Sequence, residues 1–334
     1  MTARVARGGV AAAMALGMLM SAGSVGAAPL SVSPDGFTTR CTPTAPDSDA
    51  LSGLVWAGDV AYAIGDRGND DRLAVLDTAT CTVNRWIELD GTIDVEDLAL
   101  DGNGTVWAAG TDDNDSRRDT VALIGIDPDS GAQTRLTLRF PDGPHEVEAV
   151  ALTPRGVPVL VGKVGDGTAA VYTADGEGAV DAVADGATID LVEAGPVRAS
   201  AMDGTTRPIT GAAVSADGTI AALRTKKDVY LFAVHDGDAA GAFTSAPVVV
   251  IEAPEQPQGE TVTFTEDNAL LLASESAGEP TPPILELRGA ADLVARGGAT
   301  ATASPDPGVA VAVVLLAVVV GCSGGWALLR RVRA

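Results

Sequence analysis

The sequence predicts an all-β protein, a β-propeller of about five four-stranded blades, bounded by an apolar segment at each end. Three observations predict it. One phrase recurs along the chain: Leu51-Ser-Gly-Leu-Val-Trp56, Val95-Glu-Asp-Leu-Ala-Leu100, Val147-Glu-Ala-Val-Ala-Leu152, Ile209-Thr-Gly-Ala-Ala-Val214 and Gly259-Glu-Thr-Val-Thr-Phe264. The second positions of these phrases, 52, 96, 148, 210 and 260, lie 44, 52, 62 and 50 residues apart, a period at which radial sheets repeat. The phrases are followed by turns rich in Asp, Asn and Gly and then by a second apolar strand, the hairpin signature. A β-sandwich is the rival, and five similar hairpin units of common period argue against it.

The elements follow in order. Met1 to Ala27 carries Arg4 and Arg7, an apolar stretch from Val10 to Met20 and small residues ending Val25-Gly-Ala27, the pattern of a signal peptide cleaved after Ala27. No cysteine follows that stretch, which argues against a lipid-modified N-terminus. The propeller ectodomain is expected over 28–296. Its second strands read Val60–Ile64, Thr105–Ala109, Val157–Val161, Thr219–Leu223 and Ala269–Ala273; they are nearly all apolar, as strands covered on both faces should be. Third strands read Arg72–Asp77, Thr120–Asp127, Ala169–Ala174, Asp228–Val234 and Pro283–Arg288. Fourth strands are legible at Val83–Leu89, Gln133–Phe140 and Val248–Glu252. The last blade lacks one, and Gly36 to Thr42 has no blade of its own, so the two are predicted to pair and close the ring. No helical period is evident between the two ends.

From 297 to 307 the chain is mostly Ala, Thr, Ser, Pro and Gly, a flexible stalk. Gly308 to Leu329 is 22 residues without a charge. At about 1.5 Å per residue it crosses a hydrocarbon layer of roughly 30 Å. Arg330, Arg331 and Arg333 in the tail 330–334 follow it, so the tail is expected in the cytoplasm and the ectodomain outside, a single-pass cell-membrane protein. Gly321 and Gly325 form a G-x-x-x-G that would let two such helices approach.

Composition fits that placement. All 45 acidic residues lie between the apolar ends, against 17 basic ones, a net charge of −28. Such a body disfavours nucleic acid and anionic lipid headgroups as partners, and suits cations or basic ligands. Cys322 lies in the apolar C-terminal segment. Cys41 and Cys81 are the pair outside it, and in an oxidising compartment they are expected to form a disulfide.

Propeller topology locates a site without a motif. First-strand starts and second-strand ends converge on one mouth of the central channel. The starts bring Ser52, Glu96 with Asp97, Glu148, Thr210 and Glu260. The ends bring Asp66, Thr111 with Asp112, Lys163, Arg224 and Glu275, and His145 with Glu146 lies in the loop leading to the third blade. The ligand-binding candidates are Glu96, Asp112, His145, Glu148, Lys163, Arg224, Glu260 and Glu275. The strand-start acids have an alternative use, in bonds that lock blade to blade. Three chemistries fit this mouth: a hard cation such as Ca²⁺ on Glu96, Glu148 and Glu260; phosphate or carboxylate recognition by Lys163, Arg224 and His145; and acid–base hydrolysis with His145 or Glu148 as base. The acidic loops Gly65-Asp-Arg-Gly-Asn-Asp-Asp71 and Asp112-Asp-Asn-Asp115 lack EF-hand spacing. The G-x-S-x-G match at Gly321–Gly325 sits in the apolar tail with no histidine near it, and with only His145 and His235 in the chain a His-rich metal site is excluded.

Several segments resemble a family of secreted bacterial β-propellers: Asp94-Val-Glu-Asp-Leu-Ala99, Thr111-Asp-Asp-Asn114 with Arg117-Arg-Asp119, Phe140-Pro-Asp-Gly-Pro-His-Glu-Val-Glu-Ala149, Lys163, Ile209-Thr-Gly-Ala212 with Leu223-Arg-Thr225, and Gln258-Gly-Glu260 with Ser274-Glu275. The resemblance runs over residues 36 to 290 and implies the fold and export. More distantly the chain is similar to esterase-like phytase and gluconolactonase-type propellers, which implies oxygen-ligated metal on one face. Thr111-Asp-Asp-Asn114 and Thr210 depart from that pattern. The function expected is a membrane-anchored extracellular propeller that binds a ligand or envelope component at its polar mouth. The alternative is a metal-dependent hydrolase of small phosphate esters or lactones.

Overall fold

The computed structural model describes residues 28–44, 51–65, 71–91, 94–111, 113, 117–163, 169–175, 178–197 and 208–302. Two short strands come first, β1 (Leu30–Val32) and β2 (Thr38–Cys41). Four-stranded units follow. The first is β3 (Leu51–Ala57), β4 (Val60–Gly65), β5 (Arg72–Asp77) and β6 (Val83–Glu88). The second is β7 (Val95–Leu100), β8 (Val106–Gly110), β9 (Thr120–Ile126) and β10 (Gln133–Arg139). The third is β11 (Val147–Leu152), β12 (Pro158–Gly162), β13 (Ala170–Ala174) and β14 (Thr188–Pro196). The fourth is β15 (Ile209–Val214), β16 (Ile220–Thr225), β17 (Asp228–Ala233) and, after the short helix α1 (Ala239–Phe243), β18 (Val249–Glu252). The fifth supplies three strands, β19 (Gln258–Phe264), β20 (Leu270–Glu275) and β21 (Ile284–Leu287), before helix α2 (Ala290–Thr302).

The protein is an all-β propeller. Each unit is an antiparallel meander running outward from its first strand. The innermost strands form a ring: β3 lies against β7, β7 against β11, β11 against β15, β15 against β19, and β19 against β3. Apolar side chains fill the spaces between neighbouring sheets, as with Leu98 and Val106 of the second blade against Val55 and Ile64 of the first.

The ring closes as the sequence predicts. β2 pairs antiparallel with β21 and supplies the fourth strand of the last blade. Cys41, at the end of that strand, is disulfide-bonded to Cys81, which follows β5, so the bridge clasps the fifth blade to the first. Closing a loop of 40 residues is worth about 4 kcal/mol through the unfolded chain's lost entropy.

Three features were not legible. β14 is a fourth strand that the alternation of its charged, half-exposed residues hides. Its first residues pair parallel with β10 and its later ones antiparallel with β13, so blades two and three merge into one eight-stranded sheet. β1 adds a parallel fifth strand outside β18. Helix α2 buries Ala290, Leu293 and Val294 in the cluster around β17 and β18, and Gly297 has no space for a Cβ because the carbonyl of Val248 lies against it. The stretch from 297, expected as a flexible stalk, is therefore helical as far as Thr302. Among the described residues no helix is long and apolar enough to cross a membrane. The expected leader 1–27, the rest of the stalk, the span 308–329 and the tail 330–334 lie outside the described residues.

Candidate functional site

All five inner strands share one irregularity. The register slips between residues 51 and 53, 95 and 97, 147 and 149, 209 and 211, and 259 and 261. Each slip is a β-bulge at the second residue of the recurring phrase. A bulge leaves its extra residue out of the ladder and re-aims the side chain. Ser52, Glu96, Glu148 and Glu260 consequently line one cavity at the strand-start mouth of the channel, joined by Lys163 and Glu275 from second-strand ends. Its volume is about 220 Å³, and Pro208, Lys226 and Gln258 complete its wall. The fifth bulge residue, Thr210, turns inward and donates to the carbonyls of Gly259 and Glu260 at 3.0 and 3.1 Å.

Residues at and beside the bulges hold the ring together. Asp97 is buried; its carboxylate accepts from Leu98 N at 2.9 Å, from Val150 N at 3.0 Å and from Ala212 N at 3.3 Å, tying blades two, three and four. Burial pushes its carboxyl well above the usual range. Ser52 Oγ donates to Glu96 O at 2.7 Å, and Thr261 Oγ1 donates to Ser52 O. At Gly53 a Cβ would stand 2.7 Å from Leu98, so only glycine permits this approach of blade one to blade two.

Within the cavity the charges are of both signs. Lys163 donates to Glu146 at 2.8 Å and pairs with Glu148. Burial alone would lower the ammonium's pKa, but the two carboxylates outweigh it and raise it. Burial pushes Glu148 upward, against the pull of Lys163. Burial also takes Glu260 to about 8, with Glu275 and Glu148 adding to the rise and Lys226 opposing it from 3.9 Å. Gln258 donates its side-chain amide to Glu275 at 2.7 Å.

The other candidates lie elsewhere. Arg224 has no exposed surface. It pairs with Gly211 across a bulged register and projects into the fifth blade, donating to Thr261 O, Ala273 O at 2.6 Å and Gln256 Oε1. A Cβ on Gly259 would overlap its guanidinium. Arg224 is an inter-blade rivet, because the second strand runs on to Thr225 and the cation that reaches the mouth is Lys226 in the next turn. His145 bonds Asp142 and Tyr172, both at 2.8 Å, and packs edge-on against Phe140; it braces the loop leading to β11 and does not line the cavity. Asp112 lies outside the described residues. Lys226, Gln258 and Pro208 were not singled out in the sequence; the Lys226-Lys227 turn was the available signal, since that turn must return to the same mouth. Among the described residues no three His, Cys, Asp or Glu groups are placed to hold a metal ion.

The opposite mouth differs. A cavity of about 370 Å³ is walled there by Trp56, Leu100, Leu152, Val214 and Phe264, the sixth residues of the same five phrases.

No curated protein matches the chain. Among solved structures, one titled "Complex of KlAtg21 with coiled-coil of AgAtg16" matches at 15% identity with a TM-score of 0.39, over 67% of this chain; the chain spans 63% of that structure's length. A family model described as "Lipoprotein LpqB beta-propeller domain" matches residues 119–315. That match takes in more than half of the 334 residues, so the chain belongs to the LpqB β-propeller family.

Proposed function

We propose that this chain is an envelope-associated, non-enzymatic propeller that binds a small polar ligand at its bulge-lined mouth. It is exported by residues 1–27, held to the cell membrane by the helix 308–329, and carries its propeller outside. Envelope association is supported by the family, whose name is that of a lipoprotein. The tether differs in kind: the N-terminal segment has no cysteine to carry a lipid, while the C-terminal segment is uncharged and ends in arginines. One observation carries the binding reading. Five bulges at equivalent positions send four side chains to a single cavity that also holds two lysines. Ring closure is already served by Ser52 and Thr210 at two of the bulges and by Asp97 and Thr261 beside two others, whereas Glu96, Glu148 and Glu260 line the cavity.

A thermal-shift screen of the purified full chain against small polar compounds and divalent cations tests this, since a bound ligand raises apparent stability by mass action. The expected result is a shift that disappears in Glu148→Gln. A screen in which nothing moves the transition would remove the proposal.

Hydrolysis of small phosphate esters or lactones is the second reading, favoured by one observation: Glu148 and Glu260 are largely but not fully buried carboxyls with raised proton affinity in one cavity, a combination found at acid–base sites. Turnover by the full chain, lost in Glu148→Gln, would put this reading first.

A further inference from the structure

We infer that the ligand of the polar mouth is a small zwitterion, a molecule carrying an ammonium and a carboxylate a few bonds apart, as an α-amino acid does, with Glu260 receiving the ammonium and Lys226 the carboxylate. This rests on the binding reading above and narrows it.

The argument starts from which groups in the cavity already have partners. Lys163 is engaged by Glu146 and Glu148, and Glu275 accepts from Gln258. Glu260 and Lys226 are the loose couple. They stand 3.9 Å apart, beyond hydrogen-bonding distance, and among the described residues no side chain donates a hydrogen bond to the Glu260 carboxylate. Their exposures differ: the Glu260 side chain keeps 14% of its surface and lies in the wall, whereas Lys226 keeps 47% and stands at the rim. A mostly buried carboxylate without a donor is costly, and a rim ammonium held only by a long pair is weakly committed. A ligand with both charges replaces one long contact by two hydrogen-bonded ones.

The presence of both signs selects the same class. Glu96, Glu148, Glu260 and Glu275 face Lys163 and Lys226 across the cavity. A simple anion would meet the acidic side chains of Glu96, Glu148 and Glu275 beside Glu260. A simple cation would meet two ammonium groups, one of them at the rim it must pass. A zwitterion adds no net charge and satisfies both signs. Size agrees as well, since about 220 Å³ equals roughly seven waters at about 30 Å³ each, room for an amino acid and not for a polymer. The protonation of Glu260 supplies a signature. Its carboxyl, pushed up to about 8 by burial, is largely protonated at neutral pH, and an ammonium beside it favours the ionised form. Binding then releases a proton, and affinity rises with pH up to that value.

The test is titration calorimetry of the full chain with L-alanine, D-alanine, L-lysine, putrescine and acetate, repeated in buffers of different ionisation enthalpy. At least one amino acid is expected to bind, with proton release near neutral pH, while putrescine and acetate do not. Affinity is expected to fall at least about tenfold in both Glu260→Gln and Lys226→Gln, with proton release lost in the former. Lys226 is half-exposed, so its variant keeps the test meaningful if Glu260→Gln misfolds. Putrescine or acetate binding in place of the amino acids overturns the zwitterion. So does silence from every amino acid while another compound in the screen gives a shift that Glu148→Gln abolishes; that result leaves the binding reading standing. Silence from every compound in both experiments removes the two together.

Discussion

The two mouths of the channel are made by the same five strands and share almost nothing else. At one end the ladder is bulged in every blade, the cavity is about 220 Å³, and its wall carries charges of both signs. At the other the ladders pair regularly, the cavity is about 370 Å³, and Trp56, Leu100, Leu152, Val214 and Phe264 line it, with Asp101 and Glu266 among its polar residues. The larger cavity lies where the regularly paired, apolar strand ends meet around the axis and leave a dimple. The smaller one requires an irregularity repeated five times and keeps carboxylates partly out of water. Cavity size is a poor guide to a site here, and the departure from regular pairing is a better one.

Four experiments would break or sharpen that contrast. The disulfide should matter most, because the junction of blades five and one contributes Ser52 and Glu260 to one mouth and Trp56 and Phe264 to the other. Reducing Cys41–Cys81, or Cys81→Ser, is expected to lower unfolding free energy by about 4 kcal/mol and to loosen both mouths alike, read by urea denaturation and hydrogen exchange. Asp97→Ala comes next. It leaves the N–H groups of Leu98, Val150 and Ala212 without their acceptor, for a loss of at least about 3 kcal/mol, with exchange rising first at the bulged end. A stability unchanged by this substitution would mean that the ring does not depend on it.

Glu260 gives a smaller effect of opposite sign. It binds its proton more tightly folded than unfolded, so stability falls as pH rises from the ordinary carboxylate range through about 8. Glu260→Gln should therefore be more stable than the parent by about 2 kcal/mol near pH 8.5 and nearly neutral near pH 4. A parent whose stability is flat over that interval would show that the polar mouth stores no such cost. The least effect belongs to the apolar mouth: Leu100→Gln should cost about 1 kcal/mol in thermal or chemical denaturation and leave ligand binding at the other end unchanged.

Much of the fold was legible because it is written in repeated, buried, apolar strands. Four of the five inner strands begin where the recurring phrase places them and the fifth begins one residue earlier, at Gln258; the closing strand was evident from a blade that lacked one and a segment that had none. What escaped lies at the periphery. β14 alternates charged and apolar residues in part-exposed backbone and shares itself between two blades, so neither length nor period marks it. Helix α2 ends in residues whose composition reads as linker, and packing of its first turns on β17 and β18 gives it the order that composition does not. The site was legible to the level of strand position. Glu96, Glu148 and Glu260 share a position in the phrase and share a cavity. At Arg224 the apolar run ends one residue earlier, at Leu223, but the strand does not. The ladder continues to Thr225, and that displacement decides whether a side chain faces the axis or the neighbouring blade.

The first and last described elements settle on a single blade. β1 lies along the outer edge of β18, and α2 packs across β1, β17 and β18. Tension applied beyond residue 302 is therefore delivered to the periphery of the fourth sheet. That contact lies on the circumference of the disc, away from the inner strands that line both funnels.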